Sequence, residues 1–230
     1  MPDRPLVKIC GLRRREDVLL ADEVGAAYLG FIVSAGFGRS VGAGALGALA
    51  AGVKATRVAV LVDETPAVAE AAGTALGAGV LQLHGDEPVE MVRALADRGE
   101  WTLWKSVRAA TVDDVRVAVE RYAPWVAGFL VEGRREGVVG GGGATLDPEA
   151  LGGLRDEVPT SHRLILAGGL TPGNVASAVH RWNPDVVDVS SGVESVHGRK
   201  DPDLVRRFIG AARGFRPGAP DPSDPKGATR

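Results

Sequence analysis

Cysteine is all but missing from this chain: Cys10 stands alone among 230 residues. One thiol makes no internal disulfide, and the opening Met1-Pro2-Asp3-Arg4-Pro5 lacks the apolar run of an export signal. A reducing, cytoplasmic setting is therefore expected. Histidine is scarce too. The four residues are scattered and none lies at ligand spacing from Cys10, so no metal is expected. Aromatic residues make up only 5% of a chain that is 45% hydrophobic. Most apolar residues are Ala, Val and Leu, which suits thin parallel strands covered by helices better than an aromatic-rich sandwich. A formal charge of −2 offers no positive field for nucleic acid. Uncharged stretches such as Ser40 to Val53 are broken by glycines and too short to span a bilayer. Neither a nucleic-acid partner nor a membrane is expected.

What the chain does have is a repeat. Short β-branched runs occur at Leu6–Cys10, Tyr28–Val33, Arg57–Val62, Val80–Leu83, Thr102–Val107, Val126–Glu132, Arg163–Ala167 and Val186–Ser190. Most begin roughly 22 to 30 residues after the one before, the step of a repeated βα unit. The sixth interval is longer and holds the glycine-rich insert Gly137–Thr145. Helical spacing of apolar residues marks Glu16–Val24, Ala67–Leu76, Pro88–Asp97, Val112–Tyr122, Pro172–Arg181 and Leu204–Ala212. Eight strands alternating with helices predict a single-domain (β/α)8 TIM barrel over residues 1–215. The Pro/Gly-rich tail 216–230 is expected to be disordered. An open doubly wound sheet usually has fewer strands and opens with a Gly-rich fingerprint that is absent here.

Parallel barrels keep their active sites at the C-terminal strand ends, so the residues there are the candidates. Leu166-Ala167-Gly168-Gly169-Leu170-Thr171-Pro172 follows strand seven, and Asp188-Val189-Ser190-Ser191-Gly192-Val193-Glu194 follows strand eight. Either segment alone is an ordinary turn. As neighbours in a barrel, Gly168, Gly169, Ser191 and Gly192 can converge backbone N–H groups on one phosphate. Cys10, at the end of strand one, is a small buried hydrophobe on one reading and a proton-transfer group on the other. His84 ends strand four, either as a structural histidine or as a hydrogen-bond partner of an anionic or carbonyl group. Arg39 follows strand two in a glycine-containing loop, as a surface residue or as a clamp on a substrate carboxylate. Glu132 ends strand six, paired with Arg134 or Arg135 or acting as an acid–base partner of Cys10 across the barrel mouth.

Taken together, Lys8-Ile9-Cys10-Gly11-Leu12, Gly30-Phe31-Ile32 with Arg39-Ser40-Val41, Leu81-Gln82-Leu83-His84-Gly85, Leu166-Ala167-Gly168-Gly169-Leu170, and Asp188-Val189-Ser190-Ser191-Gly192-Val193-Glu194 with Gly198-Arg199-Lys200-Asp201 resemble the phosphoribosylanthranilate isomerases, barrel enzymes of the tryptophan pathway. The motifs occur in family order from residue 6 to about 212. The resemblance implies a cofactor-free Amadori rearrangement of N-(5'-phosphoribosyl)anthranilate to its 1-deoxyribulose isomer. It makes Cys10 the base, Arg39 the carboxylate-binding residue, and Gly169, Ser191 and Gly192 part of the phosphate site. It places Asp188 against the sugar or the amine. The chain departs from the pattern on one wall. Glu132 stands where the family has an aspartate as general acid, a carboxyl displaced by about 1.5 Å. The glycine run Gly140-Gly141-Gly142-Gly143, ending Leu146-Asp147-Pro148, replaces Gly-Gly-Thr-Gly and Phe-Asp-Trp.

Two other readings stay open at this level. One is a paralogue performing the same chemistry on a related N-phosphoribosyl arylamine; the other is a catalytically silent barrel that binds a phosphorylated metabolite. The histidine-pathway isomerase fits less well, because it has an aspartate where this chain has Cys10. The expected partner is a small phosphoribosyl molecule, and the chain is expected as a monomer or homodimer.

Overall fold

The computed structural model describes residues 4–133 and 147–214. The insert 137–145, with its four consecutive glycines, and the tail 216–230 lie outside the described residues. Eight parallel strands form a closed barrel in sequence order. They are β1 (Leu6–Ile9), β2 (Tyr28–Ile32), β3 (Thr56–Leu61), β4 (Val80–Leu83), β5 (Thr102–Ala109), β6 (Gly128–Gly133), β7 (Arg163–Leu166) and β8 (Val186–Val189). The helices between and after them are α1 (Arg15–Val24), α2 (Ala43–Leu49), α3 (Pro66–Leu76), α4 (Val89–Arg98), α5 (Val112–Tyr122), α6 (Leu154–Glu157), α7 (Val175–Trp182) and α8 (Pro202–Arg213). The (β/α)8 barrel expected from the repeat is the observed fold, with strand ends shifted by one or two residues.

The strands are apolar on both faces because both faces are covered. Alternation of side chains splits them into two layers. One set, including Tyr28, Val58, Val80, Trp104, Leu130, Ile165 and Val186, packs together inside the barrel. The alternate set, including Ile9, Phe31, Leu61, Leu81, Phe129, Leu166 and Val187, packs outward among the helices. Lys8, Gln82, Glu132 and Asp188 share the inward parity of their strands, and this carries polar groups into the barrel.

Besides the single helical turn α6, for which no helical spacing was read, three features differ from the sequence expectation. Helix α2 was not expected, because its sequence Ala-Gly-Ala-Leu-Gly-Ala-Leu has weak propensity and no side-chain cap. Its Leu46 is fully buried, so packing rather than propensity supports it. Helix α7 begins at Val175 rather than Pro172. Asn174 accepts from the Thr171 N–H at 2.7 Å and donates to the Gly169 carbonyl at 2.9 Å, so the intervening residues become a turn that braces the loop after β7. After β8, a 3-10 turn over Ser191–Val193 leads into an antiparallel hairpin, β9 (Glu194–Val196) and β10 (Arg199–Lys200), also unexpected. Two and three residues are too short for a periodic signal.

A buried network pins the β4 loop. The Lys105 ammonium donates to the Gly85 carbonyl at 2.7 Å and to Glu87 Oε2 at 2.8 Å. Glu87 Oε1 accepts from the Gly85 N–H at 2.8 Å, and the Tyr122 hydroxyl donates to the Glu87 carbonyl at 2.8 Å. The residue just before Gly85 is His84, so its position is set by buried charge. No helix among the described residues is long and apolar enough to cross a membrane.

The last helix depends on its cap. Asp201 accepts from the backbone N–H groups of Asp203 and Leu204 at 2.9 and 3.0 Å, with Pro202 beginning the helix. Asp201→Ala is expected to cost about 1 kcal/mol and lower the thermal midpoint by about 2–4 °C in a calorimetric melt.

Candidate active site

A cavity of about 340 Å³ opens at the C-terminal ends of the strands. Its wall includes all nine residues expected at the site: Cys10, Arg39, His84, Glu132, Gly168, Gly169, Asp188, Ser191 and Gly192. They come from six of the eight strands and the loops that follow them, and barrel closure alone brings them together.

At the floor lies Cys10, buried and free of any disulfide. Lys8, two residues earlier on the same face of β1, is fully buried and donates to Asp188 Oδ2 at 3.0 Å across the β1–β8 seam. Burial pushes the thiol of Cys10 up; Lys8 and Lys200 pull it down and Asp188 pushes it up, with a net upward shift. Burial would lower the Lys8 pKa, yet Asp188 and Cys10 outweigh that and raise it, so Lys8 keeps its proton. The other oxygen of Asp188, Oδ1, is buried without a partner among the described residues. A buried unpaired acceptor lining a cavity is a place for a ligand donor.

On the opposite wall, His84 Nε2 lies 3.2 Å from Glu132 Oε1. His84 Nδ1 lies 2.8 Å from the Gln82 amide nitrogen and 2.6 Å from the Ser106 hydroxyl. An amide nitrogen only donates, so Nδ1 accepts and the Nε2–H donates to the carboxylate. Burial raises the Glu132 carboxyl, but the hydrogen bond from His84, with the charges of Arg108 and Lys8, overcomes it and holds the group below its ordinary value. Both ring nitrogens of His84 are thus taken by the protein, and its direct contact is with Glu132. The unliganded site holds a protonated thiol on one wall and an ionised carboxylate on the other.

Arg39 reaches the cavity rim with its side-on edge already engaged. Its Nε donates to Glu194 Oε1 at 2.8 Å and its Nη2 to Oε2 at 2.7 Å. Nη1 has no partner among the described residues, which leaves the end-on edge to face a ligand. Glu194 also accepts from Lys200 Nζ at 2.9 Å. Burial raises Glu194, while Arg39 and Lys200 pull it down to about 2.

The loops after β7 and β8 meet at the remaining side. Gly168 and Gly169 have φ of 89° and 61°, a backbone that turns successive N–H groups to one side. A Cβ on Gly192 would lie 1.9 Å from the Leu170 carbonyl oxygen, so only glycine allows the two loops to touch. The backbone N–H groups of Gly168, Gly169, Ser191 and Gly192 have no acceptor among the described residues. No cluster of three or more metal-ligating side chains occurs among the described residues.

Sequence reasoning passed over Lys8, Gln82, Ser106, Glu194 and Lys200. The inward parity shared by Lys8 with Cys10, and by Gln82 with His84, is the signal that finds two of them. Glu194 and Lys200 belong to the hairpin and carry no such periodicity.

A family model described as N-(5'phosphoribosyl)anthranilate (PRA) isomerase matches residues 7–211. The chain is 38% identical over 213 residues to an N-(5'-phosphoribosyl)anthranilate isomerase of Rhodopseudomonas palustris (strain HaA2), covering 90% of this chain and 95% of the relative. It superposes with a TM-score of 0.80 on monomers generated from the dimeric phosphoribosylanthranilate isomerase of Thermotoga maritima, at 32% identity, covering 92% of this chain and 100% of the other. A phosphoribosyl anthranilate isomerase solved with reduced 1-(o-carboxyphenylamino)-1-deoxyribulose 5-phosphate gives 0.78 at 31% identity, with the same coverage.

Because Glu194 is held at about 2 in the fold and its ordinary value is 4.5, its contribution to stability is complete above 4.5 and lost as pH falls toward 2. Glu194→Gln is expected to flatten that part of the stability profile, measured by chemical denaturation at pH 6 and pH 3.

Proposed function

The chain belongs to the N-(5'-phosphoribosyl)anthranilate isomerase family, and we propose that its cavity isomerises that compound with Cys10 as base and Glu132 as acid. The activity is that of an isomerase of tryptophan biosynthesis. The observation that carries the residue assignment is the convergence of Cys10, Arg39, Glu132, Asp188 and the two glycine-bearing loops on one cavity.

The phosphate is received by the backbone N–H groups of Gly168, Gly169, Ser191 and Gly192. The anthranilate carboxylate meets the end-on edge of Arg39, held in register by Glu194. Asp188 Oδ1 accepts from a sugar hydroxyl or the anilino N–H. His84 acts through Glu132 rather than on the substrate.

The reaction begins with protonated Glu132 giving its proton to the furanose ring oxygen. The C1'–O bond breaks as the anilino nitrogen lone pair forms the iminium. The Cys10 thiolate then removes the C2' proton; the C–H electrons form C1'=C2' and the iminium electrons return to nitrogen. The resulting enolamine tautomerises to the ketone by protonation at C1'. The active state, thiolate plus carboxylic acid, has the same proton count as the resting thiol plus carboxylate. One proton moves across the site and none is taken from solvent. Between the two pKa values, therefore, the share of active form does not change with pH.

The barrel over 1–215 is taken as the working domain, with a monomer or homodimer as its assembly. A free, catalytic thiol needs a reducing compartment, which supports a cytoplasmic setting.

Purified protein mixed with freshly generated phosphoribosylanthranilate is expected to quench anthranilate-type fluorescence. Cys10→Ser and Glu132→Gln should each lower kcat by about 10²-fold or more. Faster conversion of another N-phosphoribosyl arylamine would transfer the proposal to that substrate, a reading favoured by Glu132. No turnover of any such compound would leave only a phosphometabolite-binding barrel.

The rate should also be level with pH across neutrality. Glu132 lies below its ordinary 4.5 and Cys10 above its ordinary 9.0. The acid limb of kcat/KM is therefore expected below 4.5 and the alkaline limb above 9.0. A limb centred near pH 7 would contradict the assignment.

A further inference from the structure

Among the described residues, Lys8 is the one fully buried charge on the barrel's inward face that no step above uses. Its register partners are Tyr28 on β2 and Asp188 on β8, and Tyr28 belongs with Val58, Val80 and Trp104 to the apolar cluster inside the barrel. A buried ammonium needs partners. Its ion-pair partner is Asp188 Oδ2 at 3.0 Å, and the Cys10 sulfur is the other site group beside it. The local backbone makes room for this arrangement. A Cβ on Gly30, the neighbouring inward position of β2, would lie 2.8 Å from Cys10 Sγ and 3.1 Å from Lys8 Nζ. The space a side chain would fill is shared by the sulfur and the ammonium.

The remaining charges around Cys10 come from other elements, Asp188 level with Lys8 in the sheet and Arg39 and Lys200 at the rim. Asp188 projects from β8, Lys200 from β10 and Arg39 from the loop after β2. Lys200 and Arg39 are both bound to Glu194, which offsets their pull on the sulfur. Asp188 is anionic and opposes a thiolate. Lys8 is the largest favourable charge acting on Cys10, ahead of Lys200.

We propose that Lys8 is a positioning residue for the isomerisation: its ammonium, fixed by Asp188, holds the Cys10 sulfur and carries the negative charge that appears there when the thiol gives up its proton. The charge is discharged when the sulfur takes the C2' proton, so Lys8 itself stays protonated throughout. This rests on the reading of Cys10 as the base. Asp188 then has two jobs on its two oxygens, Oδ2 tethering Lys8 and Oδ1 facing the ligand. That division couples ligand contact at Oδ1 to the ion that supports the base.

Cys10 is the only cysteine, so alkylation reports it without labelling or background. The rate of iodoacetamide alkylation is measured against pH on the intact chain. In Lys8→Met the midpoint is expected to rise by at least one pH unit. Turnover of phosphoribosylanthranilate at pH 7 should fall tenfold or more, with KM changed by less than about threefold. Lys8→Arg should recover part of the alkylation shift. Lys8→Met leaves Asp188 buried without its partner, so the comparison is repeated in neutral surroundings. The Lys8→Met/Asp188→Asn double variant should show a higher midpoint than Asp188→Asn alone. Alkylation profiles that coincide in both comparisons would overturn the proposal. Full turnover by Cys10→Ser would instead remove Cys10 as the base, a failure of the parent reading that the alkylation curves do not mimic.

Discussion

The pairing of Leu6–Ile9 with Val186–Val189 closes the sheet, and the site depends on that seam. It sets residues 180 positions apart in direct contact, as Lys8 and Asp188 show at 3.0 Å. Without closure, Cys10 and the loop after β8 would sit at opposite edges of an open sheet. With it, seven strand ends and their loops face a single cavity. The strict alternation of side chains then decides which residues look inward, and one residue of slip on any strand would turn its functional group into the helical layer.

Inside that frame nearly every ion has a protein counter-ion. Lys8 pairs with Asp188 at the floor, Glu132 with His84 on one wall, and Arg39 and Lys200 with Glu194 at the rim. Taking charges out of water is costly unless geometry and hydrogen bonds compensate. The pairing keeps each side chain in one orientation before a ligand arrives. Among the described residues, the cavity keeps unpaired the acceptors Asp188 Oδ1 and Gln82 Oε1, the end-on edge of Arg39, and the backbone N–H groups of the two glycine-bearing loops. Acceptors, a cationic edge and a cluster of donors suit a hydroxyl or amine, a carboxylate and a phosphate on one molecule. The same pairing leaves a protonated thiol opposite an ionised carboxylate, the reverse of the protonation that the proposed mechanism uses.

Much of this was legible before any coordinates. Strands buried on both faces must be apolar almost throughout, so eight short runs such as Val80–Leu83 and Val186–Val189 stood out against amphipathic helices. Residues at their C-terminal ends were then candidates by topology, and Cys10, His84, Glu132 and Asp188 all line the cavity. Other features left no such mark. Helix α2 has a glycine-rich sequence whose stability comes from one buried leucine. The hairpin carrying Glu194 and Lys200 is too short for periodicity. Lys8 carried no signal of its own beyond the inward parity it shares with Cys10. The role open to Arg39 also narrowed, since a linear motif cannot reveal that Glu194 already occupies one edge of the guanidinium.

By itself, then, the order of residues determined the barrel, its eight strands and the identity of the groups at its mouth, because periodicity and strand-end position are local properties of the chain. Tertiary structure alone decided the protonation and the partners: a raised Cys10, a lowered Glu132, a histidine turned to a carboxylate, and a lysine placed under the thiol. Those depend on burial and on distances of about 3 Å between residues far apart in sequence, and Coulomb and desolvation energies at that range have no counterpart in a linear pattern.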